Sequence, residues 1–224
     1  MIVPEAGATH RAPAIREAGQ DSDGVQTRVQ PSPVHQLLIE HLALHSVKRG
    51  DFVLKSGRRS NWFIDSKQTI CDPDGLRLVL EEAFAVLPPD ATAIGGMTMG
   101  ADPVAFAIAG AAAMMGRRLK AFSVRKEAKD HGVLGRIAGI LDPGDRVVLT
   151  EDTVTRGRTL AEAAAVVRDL GAVPVLMLAI VDRGGACEAA ARKDGVRFEA
   201  LVTAPELGFD YDEAPAQNGG SSTS

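Results

Sequence analysis

The sequence has few cysteines, no long apolar run and no excess of basic residues. Its two cysteines, Cys71 and Cys187, lie far apart and form no CxxC pair, which argues against a zinc site or a disulfide framework and predicts free thiols. No apolar run reaches the roughly 18 residues that a membrane span needs. The net charge of −4 argues against a general nucleic-acid binder. The N-terminal segment lacks the charged-then-apolar layout of a signal peptide, so we expect a cytoplasmic protein.

Composition and patterning predict one domain between two polar tails. Of the 224 residues, 45% are hydrophobic and 24% are charged, which is typical of a globular protein with a sizeable core. Residues 1–32 lack apolar periodicity and are predicted to be a disordered extension. Residues 33–209 are predicted to form the domain. Residues 210–224, which end in Gly, Ser, Thr and Asn, are predicted to be a disordered tail.

Within the domain, predicted strands alternate with predicted helices. An N-terminal helix capped by Ser32 and a hairpin around residues 52–65 come first. Predicted strands then lie at 91–95, 119–124, 146–150, 173–181 and 197–203, and predicted helices lie at 74–87, 101–115, 158–170 and 185–193. Residues 125–139 are predicted to be a charged, glycine-containing loop. This alternation predicts an α/β fold with a central, mostly parallel sheet flanked by helices, and a ligand site at the carboxyl ends of the strands.

The most informative segment joins the strand predicted at 146–150 to the helix that follows it. Two acids, Glu151 and Asp152, follow the strand, and a turn rich in hydroxyl groups and glycine leads into the helix. Backbone N–H groups and the positive end of the helix dipole meet at such a turn and favour a phosphate. The acids can accept hydrogen bonds from sugar hydroxyls or hold a cation through water. Together these features predict a pocket for a phosphorylated sugar.

A second segment combines cations with glycine. Arg125, Lys126, Lys129 and His131 precede Gly132. A cationic loop of this kind can close over a diphosphate, neutralise its charge and exclude water. A solvated surface loop is the alternative interpretation.

The first segment resembles the phosphoribosyl-diphosphate (PRPP) motif of type I phosphoribosyltransferases. The second resembles the Arg-Lys-x-x-Lys-x-His-Gly loop of the orotate phosphoribosyltransferase family in particular. Four further segments resemble parts of that family, so that the resemblance runs from about residue 34 to 205: Lys55-Ser56-Gly57-Arg58, Trp62-Phe63-Ile64-Asp65, the turn at 95–103 and Val181-Asp182-Arg183.

The resemblance implies transfer of the phosphoribosyl group from PRPP to orotate, with Mg²⁺ held mainly by diphosphate and ribose oxygens and no metal site made of side chains. It also implies a homodimer in which the cationic loop serves the neighbouring subunit's site, with no nucleic-acid or membrane partner. The catalytic residues it implies are Lys129, His131 and Asp152. The PRPP-binding residues it implies are Arg125, Lys126, Lys129, His131, Glu151, Asp152, Thr153, Val154, Thr155, Arg156, Gly157, Arg158 and Thr159. The orotate-binding residues it implies are Lys55, Trp62, Phe63, Thr155 and Arg183.

Two departures and several alternatives stay open at this stage. Arg156 and Arg158 stand where the family has small residues, and Met99 stands where some relatives have lysine. Trp62 could instead be a core residue of the hairpin. A phosphoribosyltransferase for another base, or a non-catalytic PRPP-sensing regulator, would keep the acidic pair; Arg183, Lys55 and the cationic loop favour the orotate enzyme.

Overall fold

The N-terminal part of the domain is a helix, a hairpin and two further helices. A computed structural model describes residues 32–53, 59–129 and 135–212, with the backbone alone for 128 and 129. Ser32 caps the first helix as predicted, because its hydroxyl accepts a hydrogen bond of 3.0 Å from the His35 backbone N–H. The elements are α1 (Pro33–His41), a π-helical turn (Leu42–Ser46), β1 (Val47–Val53), β2 (Arg59–Ile64), α2 (Lys67–Ile70) and α3 (Pro73–Val86).

A six-stranded sheet with helices between its strands follows. Its elements are β3 (Ala93–Met97), α4 (Asp102–Met114), β4 (Lys120–Lys129), β5 (Gly135–Gly139), β6 (Arg146–Val154), α5 (Arg158–Asp169), β7 (Val173–Asp182), α6 (Cys187–Lys193) and β8 (Arg197–Thr203). The strand order is β5-β4-β3-β6-β7-β8, and only β5 runs antiparallel to its neighbour. The predicted α/β fold with a mostly parallel sheet is confirmed.

Alternation along the strands divides the core into two layers. Val147 and Leu149 of β6 pack with α5 and α6, whereas Val148 between them packs with α1, α3 and α4. All three are fully buried. Successive side chains of a strand point to opposite faces, so a continuous apolar run is what a strand covered on both faces requires.

The strand order changes direction beside β3. The chain goes from β3 to β4 on one side and then returns to place β6 on the other side of β3. Connections leaving the carboxyl ends of β3 and β6 therefore diverge, and ligands bind in the crevice that such a switch point creates. The segment after β3 and the acidic pair on β6 both lie there.

Three strand predictions were too short, and the first is β1, which begins at Val47 and not near residue 52. β6 continues to Val154, so Glu151 and Asp152 lie inside the strand and not in the turn after it; the reason is that Glu151 and Thr153 pair with β7. Residues 125–139 are not all loop, because β4 continues to Lys129 and β5 pairs back onto it. The described side chains at the end of β4 and in β5, the edge strand of the sheet, are at most partly buried, so this sequence is charged and glycine-containing and lacks the apolar pattern of a buried strand.

The remaining predictions concern the termini, the cysteines and the membrane. The extension at 1–31 and residues 213–224 lie outside the described residues. Tyr211 and Asp212, assigned to the tail, instead pack on the β7–α6 turn, where Asp212 N–H donates to the Arg183 carbonyl at 3.0 Å. Both cysteines are free thiols, Cys71 exposed and Cys187 buried. Among the described helices, none combines the length and the apolar character needed to cross a bilayer.

His35 joins α1 to two acidic residues from distant parts of the chain. Its Nδ1 lies 3.1 Å from Glu82 of α3, and its Nε2 lies 2.9 Å from Glu206 after β8. Burial lowers the pKa of His35, but its contacts with Glu206 and Glu82 outweigh burial and raise the pKa above its usual value. The protonated imidazole therefore fastens α1 to the body of the domain.

We predict that His35→Gln destabilises the protein more at about pH 6 than at about pH 9. The contribution of protonated His35 is fully present below its unfolded-state pKa of 6.5 and is lost as the pH rises through the higher folded-state pKa. The expected difference is about 1 kcal/mol, because the partly exposed pair is screened by solvent. Urea unfolding at both pH values measures it. His45→Gln, which alters an exposed ring tilted against that of His41, serves as the control. Equal losses for His35→Gln at both pH values would contradict the prediction.

Candidate active site

The acidic pair combines a buried carboxyl group with a partly exposed one. Glu151 is 6% exposed, and its side chain hydrogen-bonds to Thr159 at the start of α5. Burial, followed by the negative charge of Asp152, raises the pKa of Glu151 to about 8. Asp152 Oδ1 accepts a hydrogen bond of 2.7 Å from the Thr153 backbone N–H. Near neutral pH Glu151 is therefore mostly protonated and can donate a hydrogen bond as well as accept one, which suits a ligand with neighbouring hydroxyls.

The turn after β3 lies directly against this pair. A Cβ atom at Gly100 would lie 1.8 Å from Glu151 Oε1 and 3.0 Å from Asp152 Oδ1. Thr98 Oγ1 donates to Asp102 Oδ2 at 2.7 Å and fixes the turn to the start of α4. The Thr98–Met99 peptide bond is cis. Only glycine at position 100 leaves room for the Glu151 carboxyl where it stands.

The start of α5 offers backbone donors that the helix itself does not use. Gly157, the N-cap residue, adopts a left-handed conformation with φ 68° and supplies no side-chain cap. The first helical hydrogen bond runs from Ala161 N–H to the Gly157 carbonyl at 2.9 Å, so the preceding N–H groups have no helical partner. Such a terminus favours an anion. The side chains of Arg156 and Arg158, which stand where the family has small residues, are exposed. Position 157, whose left-handed conformation favours glycine, is occupied by glycine.

Other members of the predicted phosphate segment have different surroundings. Thr153 Oγ1 hydrogen-bonds to Ser66 Oγ at 2.8 Å. The Val154 side chain is 3% exposed and packs in the core, so a contact between Val154 and a ligand would have to come from its backbone. Thr155 is half-buried, and its carbonyl lies 1.8 Å from where a Cβ of Gly184 would stand. The structure thus brings residues 151–159 together around one turn.

Sequence analysis missed Lys67. Its Nζ forms an ion pair with Asp152 Oδ2, and the side chains of the two residues are 38% and 14% exposed. Burial lowers the pKa of Lys67, but the hydrogen bond and charge of Asp152 outweigh it and raise the pKa. Nothing in the local sequence after the hairpin signals this contact, because the partners are 85 residues apart.

The predicted cationic segment is described only in part. Lys126 is exposed, whereas Arg125 donates to the Ile137 carbonyl of β5 at 3.2 Å and so holds the edge hairpin. Lys129 ends β4, but its side chain lies outside the described residues. His131 and Lys55 lie outside them entirely. The structure therefore leaves the predicted roles of these three residues as predictions.

The two aromatic residues of the hairpin have opposite surroundings. Trp62 is 2% exposed and stacks on Phe209, with ring centroids 4.3 Å apart. Phe63 is 38% exposed and contacts Phe52, with ring centroids 5.7 Å apart. Adjacent strand residues point to opposite faces, so only one of the two can face a ligand. Trp62 is thus a core residue in this structure, which is the alternative that the sequence left open, and the contacts of Trp62 and Phe63 with orotate stay predictions.

Arg183 is also enclosed. Its Nη2 donates to the Trp62 carbonyl at 2.8 Å and to Ser60 Oγ at 2.9 Å, and its Nε lies 2.7 Å from Asp212 Oδ2. The guanidinium carbon lies 4.5 Å from the centroid of the Trp62 ring. Burial lowers the pKa of Arg183, and the charge of Asp212 opposes that shift. In this structure Arg183 fastens the hairpin to the end of β7.

Comparison with known proteins assigns the fold to the type I phosphoribosyltransferases. A solved orotate phosphoribosyltransferase from Mycobacterium tuberculosis, in complex with Fe(III) dicitrate, is 34% identical with a TM-score of 0.69, and the match covers 79% of this chain and all of that one. The same protein solved with PRPP matches with a TM-score of 0.66 and 31% identity, again over 79% of this chain and all of that one. No family model matches the sequence.

Curated relatives narrow the class further. An orotate phosphoribosyltransferase from Streptomyces coelicolor is 40% identical over 177 residues, which are 77% of this chain and 96% of that protein. One from a Nostoc species is 35% identical over 183 residues, which are 81% of this chain and 89% of that protein. The chain belongs to the orotate phosphoribosyltransferase family.

The activity follows from the family. The protein is a pentosyltransferase that transfers the 5-phosphoribosyl group of PRPP to orotate, giving orotidine 5′-monophosphate and diphosphate in pyrimidine biosynthesis. The alternatives of another base and of a non-catalytic regulator are set aside by these relatives.

We predict that Gly100→Ala lowers kcat/KM for PRPP by about tenfold to a hundredfold, since the added methyl group displaces the Glu151 carboxyl. Overpacking at this site is expected to lower the free energy of unfolding by about 1–3 kcal/mol. Steady-state kinetics at saturating orotate measure the first effect, and urea unfolding measures the second.

Glu151→Asp provides the matched test, because a shorter side chain leaves room for the methyl group. The double variant should lose less than the sum of the two single losses. Fully additive losses would show that the methyl group acts elsewhere.

Proposed function

We propose that the residues gathered around the β3–β6 crevice bind PRPP in three parts. The turn into α5, from Thr155 to Thr159, holds the 5′-phosphate. Glu151 and Asp152 hold the ribose hydroxyls. The cationic segment with Arg125, Lys126, Lys129 and His131 binds the diphosphate. The observation that carries this proposal is that the acidic pair contacts both the Gly100 turn and Thr159 at the start of α5. Acceptors for sugar hydroxyls therefore lie next to backbone donors that suit a phosphate.

Backbone donors support the proposed position of the 5′-phosphate. The N–H groups of residues 158–160 have no helical partners, and the left-handed Gly157 lets the chain turn beneath the anion. Thr155 and Thr159 add hydroxyl groups. Arg156 and Arg158 are exposed beside the turn and add positive charge around it.

The acidic pair suits the charge that develops on the sugar. Breaking the bond to diphosphate makes the ribose oxocarbenium-like, so the Asp152 carboxylate beside it stabilises positive charge in a partly buried site. Protonated Glu151 can donate a hydrogen bond as well as accept one, which matches a hydroxyl group that does both. Lys129 and His131 are proposed to stabilise the departing diphosphate.

We propose Mg²⁺ as the cofactor, held mainly by diphosphate and ribose oxygens. No group of three or more possible metal ligands occurs among the residues that the structure describes. The oxygen-only acidic pair nevertheless fits a hard, hydrated cation that it contacts through water. Bound Mg²⁺ would neutralise charge on the leaving group.

For orotate we propose Phe63 against the ring, with Lys55 and Thr155 contacting its polar groups. Phe63 is the exposed aromatic residue of the hairpin, whereas Trp62 is buried. Arg183 contacts the Trp62 ring and carbonyl and so attaches the hairpin to the end of β7. The predicted direct contact between Arg183 and orotate would require Arg183 to give up its ion pair with Asp212.

We propose a cytoplasmic homodimer whose cationic segments close over each other's sites. One face of α4 supports self-association: Phe106, Ala113 and Met114 recur at helical spacing and are exposed. Met99, in the turn before α4, is 71% exposed. An apolar surface of this kind beside a catalytic site suits a symmetric partner.

We predict that the purified protein consumes orotate in a spectrophotometric assay with PRPP and Mg²⁺ and leaves purine bases unchanged. Lys129→Ala should reduce kcat by about a hundredfold or more, because a cation that stabilises the leaving group acts chiefly in the transition state. Turnover of a purine base without turnover of orotate would contradict the assignment.

Mixing variants tests the shared site. Lys129→Ala and Asp152→Asn subunits, mixed equally and allowed to exchange, should restore about a quarter of the active sites, because each mixed dimer holds one intact site. The control mixes Asp152→Asn with the Asp152→Asn/Lys129→Ala double variant, which leaves no intact site. Failure of the first mixture to exceed the second would count against loop sharing.

A further inference from the structure

Lys67 contacts the acidic pair from the segment that leaves the hairpin. Ser66 hydrogen-bonds to Thr153 at 2.8 Å, and the next residue, Lys67, forms its ion pair with Asp152. Ser66 itself is 2% exposed. Two consecutive residues thus meet two consecutive residues of β6. This two-point contact fixes the Lys67 backbone, which distinguishes the pair from an ordinary surface ion pair between two mobile side chains.

The contact determines how the Asp152 carboxylate is oriented. Its Oδ2 faces Lys67, and its Oδ1 accepts a hydrogen bond from the Thr153 N–H. The side chain is 14% exposed, so both interactions act in a partly desolvated site where charge matters more than in water. Each carboxylate oxygen retains a further lone pair for a ligand.

PRPP is a polyanion, so the negative charge of Asp152 and the positive charge of Lys67 affect its binding in opposite ways. PRPP carries a phosphate and a diphosphate, and an uncompensated carboxylate would repel it. The turn at residues 97–100 contains no basic side chain. Lys67 brings a positive charge to this side of the site from outside the predicted cationic segment.

We propose that Lys67 is a positioning residue for PRPP: it fixes the Asp152 carboxylate toward the ribose hydroxyls and cancels its charge, so that the polyanion can enter. The inference rests on the proposed role of Asp152 in binding the ribose. It adds a residue that no signal in the sequence marked and that acts through Asp152 without needing to touch the reacting atoms.

The test compares Lys67→Met with Lys67→Arg by steady-state kinetics. Lys67→Met should raise KM for PRPP by about tenfold to a hundredfold, because it leaves Asp152 without its partner. The change in kcat should be smaller, and KM for orotate should stay within about twofold of the unmodified protein. Lys67→Arg, which can still pair with Asp152, should restore most of the affinity for PRPP.

Lys120→Met is the matched control. Lys120 forms ion pairs with Asp142 and Asp145 at 2.8 and 2.6 Å, and its side chain is 30% exposed. It lies at the amino end of β4, whereas the site lies at the carboxyl ends of the strands. Thermal unfolding of both methionine variants separates loss of fold from loss of binding. Lys120→Met should leave every KM unchanged.

Two outcomes would overturn the inference. If Lys67→Met kinetics match those of Lys120→Met, the contact is structural only. If Lys67→Met binds PRPP more tightly, Lys67 obstructs the carboxylate that the ribose needs. Asp152→Asn separates this inference from the proposed function. Normal affinity for PRPP in Asp152→Asn would contradict the role of Asp152 itself. Reduced affinity for PRPP in Asp152→Asn together with normal affinity in Lys67→Met would contradict only the role of Lys67.

Discussion

Two adjacent carboxyl groups inside a buried strand are the constraint on which the rest of the site depends. Burial and the neighbouring Asp152 raise the pKa of Glu151 to about 8, so the folded state holds a proton that the unfolded chain releases above its ordinary pKa of 4.5. Stability contributed by this group therefore falls as the pH rises between these two values. The arrangement costs stability near neutral pH, as functional sites commonly do. The Lys67 ion pair offsets part of that cost by pairing the second carboxylate.

Close approach of backbone segments gives the acidic pair its surroundings. A side chain at Gly96 would meet the Thr150 carbonyl at 2.2 Å, and one at Gly184 would meet the Thr155 carbonyl at 1.8 Å. Together with Gly100, these glycines let the end of β3 and the segments after β3 and β7 lie directly against β6 and the turn that follows it. The pocket is therefore shaped by main chain, and backbone groups are more rigid than flexible side chains when a substrate must be held in one geometry.

The sequence predicted what depends on local patterns. The buried runs of the sheet, the Ser32 cap, helix α5 and the turn at Gly157 were all visible from periodicity and turn chemistry. Strand pairing was not visible, because the partners of Glu151 and Thr153 lie on β7, far along the chain. Trp62 and Phe63 could not be told apart by type, since which one is buried depends on Phe209 and Arg183. Lys67 was missed for the same reason: its partner is distant in sequence.

The N-terminal hairpin is attached to the sheet through the substrate site itself. On one side, Ser66 and Lys67 hold the segment after β2 against Thr153 and Asp152. On the other side, Arg183 holds Ser60 and Trp62 of β2 against the end of β7. A ribose that engages Asp152 changes the charge and hydrogen bonding that Lys67 meets, and a base beside Phe63 contacts the same strand. In the proposed binding mode the hairpin is linked energetically to both substrates, because its anchors and the proposed ligand contacts lie on the same residues or on adjacent ones.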